Sequence, residues 1–137
     1  MTSKTHDLFA FASLVTVAAN YPPATLNVAT LVTSSVGCIV GSLLPDIDQA
    51  SNRLWDMLPA GHFLGRILKG LFLSHRTISH SILGVYLVNM ILSWVLSVLF
   101  NVNYLDIQII YYAIMIGYLP HLLLDSFTKK VFHFSFL

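Results

Sequence analysis

The side chains able to do chemistry are six histidines and six acids, the acids all aspartate. His121-Leu-Leu-Leu-Asp125 sets an imidazole and a carboxylate four positions apart, so on a helix both stand on one face while leucines cover the rest. Neutral imidazole nitrogen with carboxylate oxygen suits Zn²⁺, and serves Mn²⁺ or Fe²⁺ as well. Such a spacing arises by chance in roughly a quarter of chains with this many His and Asp, so alone it identifies nothing. Leu44-Pro45-Asp46-Ile47-Asp48 adds two carboxylates where Pro45 is expected to break an apolar helix at the membrane boundary. Two anions at a helix C-terminus oppose its dipole, at a cost of a few tenths to about 1 kcal/mol each. Bridging a cation or holding a water offsets that cost; a merely solvated helix end would not. In His75-Arg76-Thr77-Ile78-Ser79-His80-Ser81 the imidazoles stand five apart and diverge by about 140° on a continuous helix. They face one site only if the chain turns between them, which a cap at Ser79 or Ser81 allows. Arg76 can grip a phosphate or carboxylate bidentately, or serve as an ordinary cytoplasmic anchor. His6 joins this set from the start of the first apolar segment, while His62 and His133 lack supporting spacing and read as interfacial histidines.

The elements that must position these residues are apolar and long. Charged residues make up 9% of the chain and apolar ones 56%, against about 25% charged in soluble domains, so a bilayer is the natural solvent. A helix needs about 20 residues to cross roughly 30 Å of hydrocarbon. Ile82 to Phe100 is a clean span, ended by a turn at Asn101 to Asn103. Ala24 to Leu44 carries several hydroxyls and a Gly37/Gly41 pair at GxxxG spacing, which predicts close contact with another helix. Ile107 to Leu124 is a further span, expected to kink at Pro120. Leu8 to Ala19 is shorter, stopped by Pro22-Pro23, and reads as a tilted or partly embedded helix, with a cleaved signal peptide as the rival reading. The expected architecture is therefore all-α: a single unit over 1–137, an integral membrane bundle of about four helices, with a longer cytoplasmic loop between the second and third. With four spans, Lys4, Arg53, Arg66, Lys69, Arg76, Lys129 and Lys130 all fall on one face, which the positive-inside rule makes cytoplasmic together with both termini. Most of the histidines and aspartates fold onto that same face, and only Asp106 is left opposite. The net charge of +1 gives no field for holding nucleic acid, and the single Cys38 excludes an intramolecular disulfide.

Taken together, His6, the Leu-Pro-Asp46-Ile-Asp48 turn, His75-Arg76 with Ser79-His80-Ser81, and Gly117-Tyr-Leu-Pro-His121-Leu-Leu-Leu-Asp125 resemble a known family. It is that of the LexA-regulated, membrane-bound metal-dependent hydrolases, the YdjM-like proteins, itself distantly similar to the zinc-dependent phospholipase C and P1 nuclease group. The pattern departs at Gln49, Thr77 and Lys130, none of them a candidate ligand. The resemblance implies a bacterial inner-membrane protein with one to three divalent ions, zinc foremost, held by His6, Asp46, His75, His80, His121 and Asp125. Metal-activated hydrolysis of a phosphoester or phospholipid-like substrate would follow, with Arg76 neutralising charge and Asp48 as general base. Two rivals use the same residues: an ion or metal transporter, and a non-catalytic protein whose metal only pins its helices. All three require Asp46 or the His75/His80 pair to come within about 10 Å of His121 and Asp125.

Overall fold

The computed structural model describes residues 3–47, 49, 52–71, 81–100 and 103–128. Asp48, His75, Arg76, His80 and His133 lie outside the described residues. Every regular element among the described residues is helical: α1 (Ser3–Asn20), α2 (Val28–Leu43), a 3₁₀ turn (Leu44–Asp46), α3 (Arg53–Asp56), α4 (Gly61–Leu71), α5 (Ile82–Leu99) and α6 (Ile107–Thr128).

The starts of these helices are written in their caps. Asn27 accepts from the Thr30 amide (2.6 Å), so α2 begins four residues later than the apolar run at Ala24. Ser81 caps α5 through the Gly84 amide (3.1 Å), which decides between the two serine candidates. Asp106 Oδ1 accepts from Gln108 and Ile109 at the head of α6. Asparagine and aspartate at these positions satisfy amides that have no partner inside the helix.

Among the described residues, three helical stretches are long and apolar enough to cross a membrane: Val28–Asp46, Ile82–Leu99 and Ile107–Phe127, with mean hydropathy 1.7, 2.2 and 1.6. Three of the about four expected spans are thus supported. α1 has the length, but its first residues, Ser3-Lys4-Thr5-His6-Asp7, are polar. It is nonetheless the third wall of a tight α1/α2/α6 bundle. As expected, α2 gives way at Pro45: the α-helix ends at Leu43, and Pro45 sits near the start of a 3₁₀ turn, where its missing N–H costs little, that carries the chain on to Asp46. Pro120 does not end α6 either, which runs on to Thr128. The region expected as a loop after α2 contains α3 and α4.

The Gly37/Gly41 expectation meets a specific geometry. A Cβ added at Gly41 would lie 2.1 Å from Ile114 O of α6, and one at Gly117 would lie 2.0 Å from Cys38 O of α2. The two backbones therefore touch reciprocally, a contact open only to glycine. α5 packs more loosely, seating Leu96 on Ile110 and Ile114 of α6 and linking Asn89 Oδ1 to the Tyr111 hydroxyl (2.6 Å). At the bundle end away from His6, Asn27 donates to Tyr104 O and Thr30 Oγ1 accepts from Asp106 N, locking α2 to the α5–α6 turn.

Candidate metal centre

The other end of the bundle gathers the ionisable groups. α1 contributes His6 in its first turns, the 3₁₀ turn brings Asp46, and α6 brings His121 and Asp125 on one face, as their i, i+4 spacing predicts. His6, His121 and Asp125 are all buried, and one ligand atom from each lies within 4.8 Å of the others. Asp46 completes the group, with Oδ2 3.6 Å from His121 Nε2, well inside the 10 Å requirement. His6 Nε2 stands 3.6 Å from Asp125 Oδ1, and the two imidazoles stack with centroids 3.9 Å apart.

These separations test whether a metal fits. A charge-assisted N–H···O bond would close to about 2.7–2.9 Å, so 3.6 Å is too long for a direct hydrogen bond. Two donors bound to one Zn²⁺ at about 2.0–2.1 Å in a tetrahedron lie roughly 3.3–3.4 Å apart, close to what is observed. The protonation states point the same way. Burial, then the neighbouring His121, holds the His6 imidazole below its ordinary range, against the opposing pull of Asp125 and Asp46, so it is neutral at pH 7. His6 Nδ1 is buried with no hydrogen-bond partner among the described residues. His121 Nδ1 contacts Ser42 O, and since a carbonyl only accepts, that nitrogen carries the proton and Nε2 offers its lone pair. A neutral imidazole oriented by its second nitrogen is the usual form of a metal-binding histidine. The donor set fits a divalent cation.

A supporting layer fixes this geometry. Ser42 Oγ lies 2.7 Å from Asp7 Oδ1, and Arg53 Nη1 lies 2.7 Å from Asp7 Oδ2, so α3, α1 and α2 are joined behind the carbonyl that holds His121. Asn52 is buried, donates to Leu43 O (2.7 Å) and caps α3 through the Leu54 amide (3.0 Å). Trp55 donates to Gln49 O (3.0 Å), strapping the segment after the Asp-x-Asp turn back onto the bundle. Sequence alone puts most of the aspartates on this face and marks Arg53 only as a topological base, with no role for Ser42 or Asn52. Asn52 ahead of Arg-Leu-Trp-Asp was readable as an N-cap, whereas nothing in sequence marks the carbonyl of Ser42.

His62 stays apart from the cluster, paired with Asp56 (3.0 Å) at an exposed position worth little. An apolar cavity of about 360 Å³ between α1, α2 and α6, lined by residues such as Leu14, Val17, Leu31 and Tyr112, has no histidine, acid or base in its wall. Its wall begins about two turns from His6 on α1 and about one and a half turns from His121 on α6. A search of curated proteins gives no match, and neither does a search of solved structures. The family described as YdjM inner membrane protein matches residues 1–134, which takes in the three candidate spans and the whole cluster, and the chain belongs to that family.

Proposed function

We propose that residues 1–137 form one membrane-embedded, metal-dependent hydrolase unit, with zinc as the resident ion and a phosphoester or phospholipid-like substrate. One observation carries the reading: His6, His121 and Asp125, from two separate stretches of chain, bring buried donor atoms within 4.8 Å of one another, and the partly buried Asp46 of a third stretch stands 3.6 Å from His121. A divalent ion held there would supply Lewis acidity and lower the pKa of a water toward about 7. The chain's own groups do the rest. Ser42 O, with Asp7 and Arg53 behind it, holds His121 in the ligating tautomer. Asp48, two residues past Asp46, is assigned to take up the proton of the attacking water. Arg76 is assigned to neutralise charge on the attacked group, and His75 and His80 to complete the ligand set for one to three ions.

In the membrane, α1 serves as the fourth helix of the bundle and the cluster end faces the cytoplasm with both termini. Lys4, Arg53 and Arg66 stand at that end, and the α5–α6 connection opposite holds no base. A second reading, in which the ion only clamps α1, α2 and α6, is favoured by a single fact: four described donors suffice to close a tetrahedral shell.

Elemental analysis of detergent-purified protein, followed by a phosphodiester and phospholipid screen, tests both. Near-stoichiometric transition metal that disappears in His121→Ala/Asp125→Ala supports the site, and metal unaffected by that pair refutes it. Hydrolysis lost in Asp48→Asn with metal retained supports catalysis. Metal present without hydrolysis of any phosphoester, and needed for the fold, supports the clamp.

A further inference from the structure

α4 is too short to span, packs on α3, and contains two bases and no acid in Gly-His-Phe-Leu-Gly-Arg-Ile-Leu-Lys-Gly-Leu. At about 100° per residue its faces separate cleanly. Gly61 and Gly65 form one stripe and lie flush on Trp55, where added Cβ atoms would meet the Trp55 carbonyl at 2.0 Å and its indole at 2.8 Å. Phe63, Leu64 and Ile67 form a second stripe and are 65%, 44% and 46% exposed. His62 and Arg66 form a third, also exposed. A helix docked through one stripe, with an apolar and a basic stripe left over, has the design of an interfacial helix that lies in the membrane surface.

The location supplies the occupant. The span of α2 ends at Asp46 and α5 begins at Ile82, both at the cluster end of the bundle, so α4 is tethered at each end to one bilayer surface. We propose that α4 lies in the plane of that surface, with Phe63, Leu64 and Ile67 in the acyl boundary and Arg66 against anionic lipid headgroups. The basic stripe complements an anionic surface, where each Lys or Arg strengthens attraction roughly fivefold. The inference rests on the membrane placement and not on the metal reading. Trp55 joins α4 to α3, and the Arg53–Asp7 pair joins α3 to α1, so headgroups held by α4 sit on the scaffold that carries the cluster.

The test uses the full-length protein in phosphatidylcholine vesicles with and without phosphatidylglycerol. Nitroxides are placed through Phe63→Cys, Ile67→Cys and His62→Cys; Cys38 is buried and stays in place. Labels at positions 63 and 67 should be reached by oxygen and shielded from a water-soluble nickel chelate, with the reverse at position 62. Equal chelate access at all three positions overturns the proposal, as do labels at 63 and 67 shielded from both reagents, since another part of the chain or a second copy would then cover that stripe. Spin-labelled phosphatidylglycerol should associate with the unlabelled protein several-fold more than phosphatidylcholine, and Arg66→Gln should reduce the preference. Equal association of the two lipids overturns the anionic assignment.

Discussion

Gly117→Ala adds one methyl group to the closest contact in the bundle. Its Cβ would stand 2.0 Å from Cys38 O, whereas contacts of this kind essentially never fall below 3.0 Å and are ordinary at 3.4 Å, so α6 must retreat from α2 by about 1.0–1.4 Å. Neither partner can rotate away, because the obstacle is backbone. Overpacking costs about 1–3 kcal/mol where side chains can adjust, and a backbone obstacle places this substitution at or above the top of that range. His121 stands one turn beyond Gly117 on the same face and is held by Ser42 O of α2, so the retreat pulls its ring from that carbonyl and from Asp46. Metal–ligand distances tolerate only about 0.2 Å, several times less than the displacement. The assay pairs thermal unfolding in detergent with metal content by elemental analysis, using the outward-facing Leu123→Ala on the same helix as control. Gly117→Ala should unfold at lower temperature and lose metal together, with Leu123→Ala near wild type in both. Wild-type stability and full metal content in Gly117→Ala would show that the two backbones do not touch, and the account of how the site is positioned would fail.

Asp7→Ala removes the carboxylate that joins Ser42 to Arg53 without touching a donor atom, so metal affinity in a chelator competition should fall about 10–100-fold; unchanged affinity would show that this layer is idle. His6 is held below its usual pKa of about 6.5, chiefly by burial, so the unfolded chain takes up a proton that the native state refuses. Stability and metal retention should therefore be full above pH about 6.5 and decline as the pH falls through that value toward the lower native pKa, with a smaller decline in His6→Gln; unfolding scans that are flat from pH 8 to 5 would contradict this. Asn52→Ala leaves the buried Leu43 carbonyl without its donor and α3 without its cap, and should cost about 1–3 kcal/mol in chemical denaturation. Tyr111→Phe breaks a single hydrogen bond between α5 and α6 inside the membrane and should cost only about 0.6 kcal/mol, with metal content unchanged.

Local properties of the chain were legible without coordinates. The apolar lengths of α5 and α6, the serine cap of α5 and the common face of His121 and Asp125 follow from hydropathy and helical period, which are summed over neighbouring residues. Even there the polar start of α1 removes it from the spans that length and apolarity alone support, while the break at Pro45 takes the form of a 3₁₀ turn. The amphipathic stripes of α4 are equally present in the residues, but eleven residues are too few to span a bilayer, so hydropathy by itself leaves them in a loop. Tertiary structure alone decided that His6 meets Asp125 and that Asp46 meets His121, because those residues lie far apart along the chain. Their meeting depends on how closely three helices approach. Gly41 and Gly117 set that approach backbone against backbone, and the carbonyl of Ser42, a group every residue possesses and no sequence distinguishes, orients the ring of His121.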